Sequence, residues 1–241
     1  MTLSEGAFAD KVVVVTGGTS GIGAATAVRF AALGARVLAV GLDAAGRHAP
    51  QHGGVECRQL DVRDRPGLRD FFSSLDQLDV LVNCAGISRD RDEWEEAEFD
   101  LVLDVNLASV FRASQAARTL LAKSGGSIIN IASMYSTFGA ADRPGYAASK
   151  GGIVQLTKSL AVEYAGQGIR VNAVAPGWID TPLADGLFDN KEIADPIMAR
   201  IPLSRWGTSD EVADPILFLA SSMARYVTGA VLPVDGGYLT V

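Results

Sequence analysis

Three side chains near the middle of the chain are suited to acid–base chemistry. Ser133 follows an apolar run over residues 127–132 that predicts a buried strand. Tyr146 and Lys150 begin a long helical pattern, and because they are four residues apart they lie on one face of a helix, one turn from each other. A hydroxyl, a phenol and an ammonium group at one point are the groups needed to move a proton to or from a secondary alcohol.

Lys150 is expected to lower the pKa of Tyr146. A free tyrosine has a pKa of about 10, and an acid or base for neutral pH needs a pKa about 2–3 units lower, or roughly 3–4 kcal/mol of stabilisation. One ammonium group about 4 Å away supplies about 4 kcal/mol at an effective dielectric constant of about 20. We therefore expect Lys150 to lower the pKa of Tyr146, and Ser133 to hydrogen-bond the substrate oxygen. Because on the order of a few percent of chains contain such a trio by chance, it indicates catalysis only beside a nicotinamide site.

Composition and charge narrow the classes of function. The chain has 241 residues, of which 48% are hydrophobic and 20% charged, and this predicts a single globular domain. The net charge of −7 and the lack of a Lys/Arg-rich run argue against a nucleic-acid or anionic-membrane partner. Residues 1–11 lack the pattern of a signal peptide, and no apolar run approaches the roughly 20 residues of a membrane span. We expect a cytoplasmic protein.

The cysteines and histidines do not suggest a metal or redox site. Cys57 and Cys84 stand apart in apolar, strand-like surroundings, which favours two reduced thiols over a CxxC pair. His48 and His52 fall in a segment broken by Gly and Pro, and the sequence offers no third ligand for them. We expect both histidines to be exposed loop residues and no metal to be bound.

The clearest ligand-binding pattern lies near the amino terminus. A β-branched run over residues 12–15 predicts a buried strand, and it leads directly into a glycine-rich turn over residues 16–23. An alanine-rich helical pattern follows and stops at Gly34. Glycines between a strand and a helix allow backbone N–H groups and the helix amino terminus to approach a pyrophosphate. This context favours a dinucleotide-binding turn over a turn that is merely tight.

Strand and helix patterns alternate along the chain. Strands are predicted at 12–15, 36–40, 55–60, 79–82, 127–132, 169–175 and 231–234, and helices after the glycine turn and at 65–75, 99–123, 146–165 and 209–221, the last capped by Ser209. Residues 41–54 are too broken for a full helix, and the polar, acidic residues 88–98 predict a surface loop or a short turn of helix. Residues 183–203 predict a mobile lid. This alternation implies an α/β fold in which one domain, residues 1–241, contains a doubly wound parallel seven-stranded sheet, the Rossmann fold.

Ligands of such sheets bind beyond the carboxyl ends of the strands, and most of the notable motifs follow predicted strands. The motifs are, in order, Thr16-Gly17-x-x-x-Gly21-Ile22-Gly23, Asp61-Val62, Asn83-x-Ala85-Gly86, Asn106, Ser133, Tyr146-x-x-x-Lys150, and Pro176-Gly177 followed by Thr181. Through these motifs the chain resembles the classical short-chain dehydrogenases/reductases over nearly all its length.

The resemblance implies a role for each matching residue. Tyr146 would be the acid/base, Lys150 would lower its pKa and hold the nicotinamide ribose, and Ser133 would hold the substrate oxygen. Asn106 would anchor a water that links Lys150 to solvent. Asp61 and Val62 would meet the adenine, and Thr181 and the Ile179 backbone would hold the carboxamide. The other expected cofactor-binding residues are Gly17, Thr19, Ser20, Gly21, Ile22, Gly23, Asp43, Asn83, Ala85, Gly86, Tyr146, Lys150, Pro176 and Gly177.

The sequence favours NAD over NADP. Family members that use NAD commonly carry an acid at the end of the second strand, but here that position is Gly41 and the first acid is Asp43. Ser20 stands where many NADP users place a base, and Asp43 would repel a 2′-phosphate or accept hydrogen bonds from the ribose. NADP is the alternative, with Arg47 or Arg63 turned toward the ribose.

The resulting hypothesis is an oxidoreductase that moves a hydride between NAD(P) and a secondary alcohol or ketone. One competing class is a non-catalytic cofactor-binding protein, and the intact catalytic residues argue against it. The other is an epimerase or dehydratase, which usually needs additional chain for a substrate domain.

The substrate class stays open between two readings. A sugar, polyol or hydroxy acid is favoured by polar and aromatic residues that flank the predicted cleft, namely Arg89, Asp90, Arg143, Trp178 and Phe138. A 3-oxoacyl-carrier-protein is the alternative, because residues 86–90 resemble those of the reductases that act on it.

We also expect a homotetramer with two-fold axes. The long helices 99–123 and 146–165 carry apolar or small residues on more than one stripe, which is more than one sheet-facing stripe uses. The resemblance implies that these helices pair between subunits.

Overall fold

Seven parallel strands form one sheet at the centre of the molecule. The computed structural model describes residues 3–184, 186, 188 and 190–241. Its strands are β1 (Val12–Thr16), β2 (Arg36–Gly41), β3 (Val55–Gln59), β4 (Val80–Asn83), β5 (Ser127–Ile131), β6 (Arg170–Pro176) and β7 (Val231–Val234). They are ordered β3-β2-β1-β4-β5-β6-β7, and each pairing is parallel. The predicted doubly wound sheet is confirmed.

Helices cover both faces of this sheet. Within the described residues they are α1 (Gly21–Ala32), α2 (Arg65–Ser73), α3 (Glu96–Leu103), α4 (Ser109–Ser124), α5 (Pro144–Ala165), α6 (Lys191–Met198) and α7 (Ser209–Ala220). Helices α1 and α7 pack against one face, whereas α2, α4 and α5 pack against the other. The sheet is therefore the middle of three layers.

The β-branched run of β1 explains its central place. Val13 and Val15 enter the core beside α1 and α7, and Val14 enters the opposite core. All three side chains are fully buried. Burial of each contributes roughly 1.5–3 kcal/mol, so a continuous apolar run is stable only where both faces of the strand are covered.

The order of the strands creates a crevice next to β1. This strand pairs with β2 on one side and with β4 on the other, so the connections leave in opposite directions at this point. The glycine turn follows β1, and residues 84–86 follow β4. The two segments therefore meet at the edge where ligands bind in doubly wound sheets.

One helix differs from its prediction. The sequence predicted a single helix over 99–123, but α3 and α4 are joined by a turn of π-helix over Asp104–Ala108. Asn106 lies in this turn and is 1% exposed. Its side chain bonds the backbone of Ile87 on a neighbouring loop, and such π turns are frequent at functional sites.

The structure confirms the prediction for one connecting segment and corrects the cap predicted for α7. Residues 42–54 form turns without a helix, as expected. Thr208, rather than Ser209, caps α7, because its Oγ1 accepts from the N–H of Glu211 at 3.3 Å. The predicted lid, 183–203, contains α6, while its residues 185, 187 and 189 lie outside the described part of the chain. None of the helices described is long and apolar enough to cross a membrane.

Candidate active site

The turn after β1 is pressed against the end of β4. Gly17 has φ +66°, and a Cβ at this position would lie 2.7 Å from the backbone of Ala85. A Cβ at Gly23 would lie 2.1 Å from the carbonyl oxygen of Gly17. The Thr16 hydroxyl accepts from the N–H of Cys84 at 3.2 Å, which holds the two segments together. Only glycine permits this approach, so bare backbone faces the crevice.

A cavity of about 290 Å³ extends from this turn to the catalytic residues. The predicted site residues that line it are Gly17, Ser20, Gly21, Ile22, Gly23, Gly86, Ser133, Tyr146, Lys150, Pro176, Gly177, Ile179 and Thr181. Ser20 makes no side-chain cap on α1, so the N–H groups of the first helical turn are free to meet a phosphate. The glycine cradle and the helix terminus therefore fit a dinucleotide.

The catalytic candidates converge at the other end of this cavity. Ser133 follows β5 and begins a 3-10 turn, where its hydroxyl accepts from the N–H of Tyr135 at 3.2 Å. Tyr146 and Lys150 lie on α5, and the Lys150 ammonium is 5.5 Å from the centroid of the Tyr146 ring. Lys150 is 4% exposed and donates to the carbonyl of Ile131 at 2.8 Å. The structure thus brings the predicted trio together.

The protonation of these groups differs from the expectation. Burial raises the pKa of the Tyr146 phenol above its usual value, although a hydrogen bond with Ser133 and the charge of Arg143 act in the opposite direction. Burial also lowers the pKa of Lys150 to about 8. The expectation that Lys150 brings the pKa of Tyr146 below its ordinary value is wrong for this cleft, because loss of hydration outweighs the Ser133 hydrogen bond and the Arg143 charge, and Lys150 is not among the groups that lower this pKa.

Asn106 supports the site from behind. Its Oδ1 accepts from the N–H of Ile87 at 2.9 Å, and its Nδ2 donates to the Ile87 carbonyl at 2.9 Å and to the Ser149 hydroxyl at 3.2 Å. The side chain therefore joins the segment after β4 to helix α5. Its predicted role at a water beside Lys150 stays a prediction.

Two predicted cofactor residues, Asn83 and Ala85, are not among the residues that line the cavity. The Asn83 amide is 2% exposed and donates to Asn130 at 2.9 Å and to Ser114 at 3.3 Å. These bonds link β4 to β5 and α4 through the Asn83 Nδ2, whereas the buried Oδ1 has no hydrogen-bond partner among the described residues. The predicted role of Asn83 in binding cofactor stays a prediction. The backbone of Ala85 lies against Gly17, and its predicted role in binding cofactor stays a prediction.

The remaining predicted cofactor residues lie beyond the lining of this cavity. Asp61 pairs with Arg63 at 2.8 Å, and Val62 is 7% exposed. Thr19 is buried, and a Cβ at Gly41 would lie 2.3 Å from its hydroxyl. The Thr19 side chain thus fills the space beside Gly41 at the end of β2.

The sequence analysis did not predict one aromatic residue of the cavity wall and wrongly predicted another. Tyr135 lines the cavity and packs edge-on against Tyr146 and Trp178, with centroids 6.1 Å apart in each case. Its position two residues after Ser133 was a signal that could have indicated this. Phe138, which was expected to wall the cleft, is not among the residues that line the cavity. It packs on Tyr238 in the cluster that also contains Tyr135 and Trp178, so it lies behind the wall.

Comparisons with known proteins agree with this geometry. A family model described as enoyl-(acyl carrier protein) reductase matches residues 17–239. The chain is 42% identical to the 3-oxoacyl-(acyl-carrier-protein) reductase of Thermotoga maritima, with 94% of this chain and 97% of that protein covered. It is 39% identical to the 2-dehydro-3-deoxy-D-gluconate 5-dehydrogenase of Pseudoalteromonas atlantica, with 95% and 96% covered.

A solved structure has the same architecture. It is a candidate NAD(P)-dependent gluconate 5-dehydrogenase from Beutenbergia cavernae with NADP bound at low occupancy. It is 38% identical to this chain, covers 99% of it and 100% of its own length, and superimposes with a TM-score of 0.89. The chain belongs to the short-chain dehydrogenase/reductase family and is an NAD(P)-dependent oxidoreductase that acts on CH–OH groups.

Proposed function

We propose that Tyr146 is the acid/base of a reaction that interconverts a secondary alcohol and a ketone. The observation that carries this proposal is that Tyr146, Ser133 and Lys150 line the same cavity as the glycine turn. A phenol and a hydroxyl there can hold one substrate oxygen while the cofactor lies alongside.

The proton transfer follows from the positions of these groups. In the reductive direction the ketone oxygen accepts hydrogen bonds from Ser133 and Tyr146, and the Tyr146 proton passes to that oxygen as negative charge develops on it. NAD(P), when bound, would supply the hydride, and its oxidised form would supply a positive charge that favours the phenolate. The Lys150 ammonium, 5.5 Å from the ring centroid, stabilises the phenolate that is left.

The phenol of Tyr146 is protonated at neutral pH, because its pKa is ordinarily about 10 and burial raises it further. The group is therefore ready to donate a proton to a ketone. Oxidation of an alcohol needs the phenolate, so it requires higher pH or the positive charge of the oxidised cofactor.

We propose a sugar acid or another hydroxy acid as the substrate. Arg143 lines the cavity beside Tyr146, and its guanidinium pairs with Asp142 at 2.6 Å and with Asp90 at 3.0 Å. The Asp90 side chain is 67% exposed, so a substrate carboxylate can displace it and take up the bidentate geometry that arginine favours. The relative that acts on a 2-dehydro-3-deoxy-gluconate supports this class.

A 3-oxoacyl thioester is the second candidate. It is supported by the relative named as a 3-oxoacyl-(acyl-carrier-protein) reductase and by the sequence of residues 86–90. A thioester lacks the carboxylate that the Arg143 site would recognise, so the two candidates depend differently on this residue.

We propose NAD as the preferred cofactor. Arg63 is held by Asp61 at 2.8 Å, and Arg47 donates to His48 at 2.8 Å, so both arginines of the NADP alternative already have partners. With Gly41 closed by Thr19, Asp43 is the acid nearest the end of β2. NADP is the alternative, and the related structure with bound NADP supports it.

Two further proposals concern assembly and access. Phe111 on α4 is 45% exposed and Val162 on α5 is 83% exposed, which supports pairing of these helices in a homotetramer. We also propose that residues 183–203 act as the lid of a single catalytic domain, because Leu183 and Ala184 line the cavity.

A substrate screen tests the proposed function. Sugar acids, polyols and 3-oxoacyl thioesters are offered to the protein with each cofactor, and the change in cofactor absorbance is followed. Turnover of a hydroxy acid or sugar acid, lost in the Arg143→Ala variant, is the expected result. Turnover of thioesters alone, with Arg143→Ala unaffected, would establish the second candidate instead.

A further inference from the structure

A buried carboxylate touches the catalytic helix. Glu93 lies in a 3-10 turn over Asp90–Trp94 and is 1% exposed. Its Oε2 accepts from the backbone N–H of Tyr146 at 2.7 Å. Its Oε1 accepts from the N–H of Arg89 at 2.8 Å and from the Ser88 hydroxyl at 3.3 Å. Both oxygens are therefore used, each toward a different segment of the chain.

Helix α5 needs a hydrogen-bond acceptor from another segment at its amino terminus. The residue before α5, Arg143, makes no side-chain cap, so the N–H groups of the first turn require acceptors from elsewhere. Glu93, from a separate segment, supplies one to the N–H of Tyr146 itself, and its negative charge lies at the positive end of a 22-residue helix. These contacts explain how a carboxylate is accommodated without solvent.

Neighbouring contacts fix the same junction. The Trp94 indole N–H donates to the carbonyl of Ala141 at 3.0 Å, and Asp90 pairs with Arg143. A Cβ at Gly145 would lie 3.3 Å from Glu93 Oε2 and 3.2 Å from the Phe99 ring, so glycine permits this close fit. Residues 88–94 are thus held in register with residues 141–146.

We propose that Glu93 is a positioning residue that sets Tyr146 and the substrate-facing rim of the cavity at the same time. Through the Tyr146 N–H it fixes the turn that carries the phenol, and through Arg89 and Ser88 it fixes the rim, where Ser88 and Asp90 line the cavity. It touches no reacting atom. This inference rests on the proposed role of Tyr146 as acid/base.

A carboxylate is required because both sides of the junction are donors. Glutamine has one oxygen and one NH₂ group, so in Glu93→Gln one side of the junction must face a donor. Either the Tyr146 N–H or the Arg89 N–H then loses its acceptor. The matched control is Glu96→Gln, which makes the same change at an exposed carboxylate in the first turn of α3.

The experiment combines amide exchange with steady-state kinetics on the full-length protein. In Glu93→Gln, hydrogen exchange at residues 141–147 should speed up by at least tenfold. With the substrate found in the screen, kcat should fall by at least tenfold and the substrate KM should rise. The cofactor KM should stay within twofold, because the glycine turn is untouched. Glu96→Gln should match the unaltered protein in all four measurements.

A second variant covers the case in which Glu93→Gln does not fold. Gly145→Ala keeps the carboxylate but places a methyl group against it and Phe99, and should cause the same changes in exchange and kcat to a smaller degree. Exchange and kinetics in Glu93→Gln or Gly145→Ala that equal those of Glu96→Gln would overturn the inference. If Tyr146→Phe also kept its activity, the proposed function would have failed instead, and the exchange measurement would still decide the role of Glu93.

Discussion

Replacing Asn106 by alanine should weaken the fold and the site together. The substitution removes three hydrogen bonds, two to Ile87 and one to Ser149, from a side chain that is 1% exposed. Each bond contributes about 1 kcal/mol, and the partly exposed Ile87 backbone can recover some of this with water. We expect the free energy of unfolding to fall by about 2–3 kcal/mol, which lowers Tm by roughly 4–12 °C for a domain of this size.

Urea unfolding followed by circular dichroism, at one fixed protein concentration, measures this loss. Ser149→Ala serves as the partner variant, because it removes one of the three bonds and leaves the two to Ile87. The double variant should lose less than the sum of the single losses, by about 0.5–1 kcal/mol. A loss below about 1 kcal/mol for Asn106→Ala would refute the reasoning that this amide holds the segment after β4 to α5.

The remaining predictions concern catalysis. Because burial raises the pKa of Tyr146, the rate of alcohol oxidation should rise with pH through the alkaline range, while the rate of ketone reduction should fall. Profiles of kcat/KM against pH in both directions measure these trends. An oxidation rate that does not depend on pH would contradict the prediction. The Arg143→Ala variant should have a KM for a hydroxy acid that is at least tenfold higher and an unchanged cofactor KM. The control is Arg91→Ala, which removes an exposed arginine. Equal KM values for the hydroxy acid in the two variants would contradict the proposal that Arg143 binds the substrate carboxylate. The value of kcat/KM measured with NAD should exceed the value measured with NADP on the same substrate. A tenfold preference for NADP, about 1.4 kcal/mol, would contradict this. If Arg47→Ala reversed that preference, Arg47 would be the residue that selects the cofactor.

Most of the fold follows from local patterns in the sequence. The β-branched run of β1 and the glycine turn after it required no knowledge of distant residues, because burial on two faces and a positive φ leave direct marks on residue choice. The π turn at Asn106 was missed, since an asparagine among apolar residues shows only that something is unusual. Its reason lies in Ile87, which is distant in sequence.

The sequence predicted which residues line the site better than it predicted their burial and pKa values. The carboxylate of Glu93 stands in an acidic stretch that predicts a surface loop or a short turn of helix, and nothing in that stretch distinguishes it from the exposed acid Glu96. Only the approach of Gly145 and the N–H of Tyr146 makes it a buried contact. The shift in the Tyr146 pKa likewise depends on how much water the folded cleft excludes, which spacing along the chain does not specify.

The most direct test of the account is the activity of Tyr146→Phe. This change removes the phenolic hydroxyl and keeps the ring that packs on Tyr135. Turnover in both directions should fall at least 100-fold, in line with the 10²–10⁴ that acid–base catalysis contributes, while cofactor affinity measured by fluorescence titration stays within twofold. Retention of more than about a hundredth of the activity would contradict the claim that Tyr146 moves the proton.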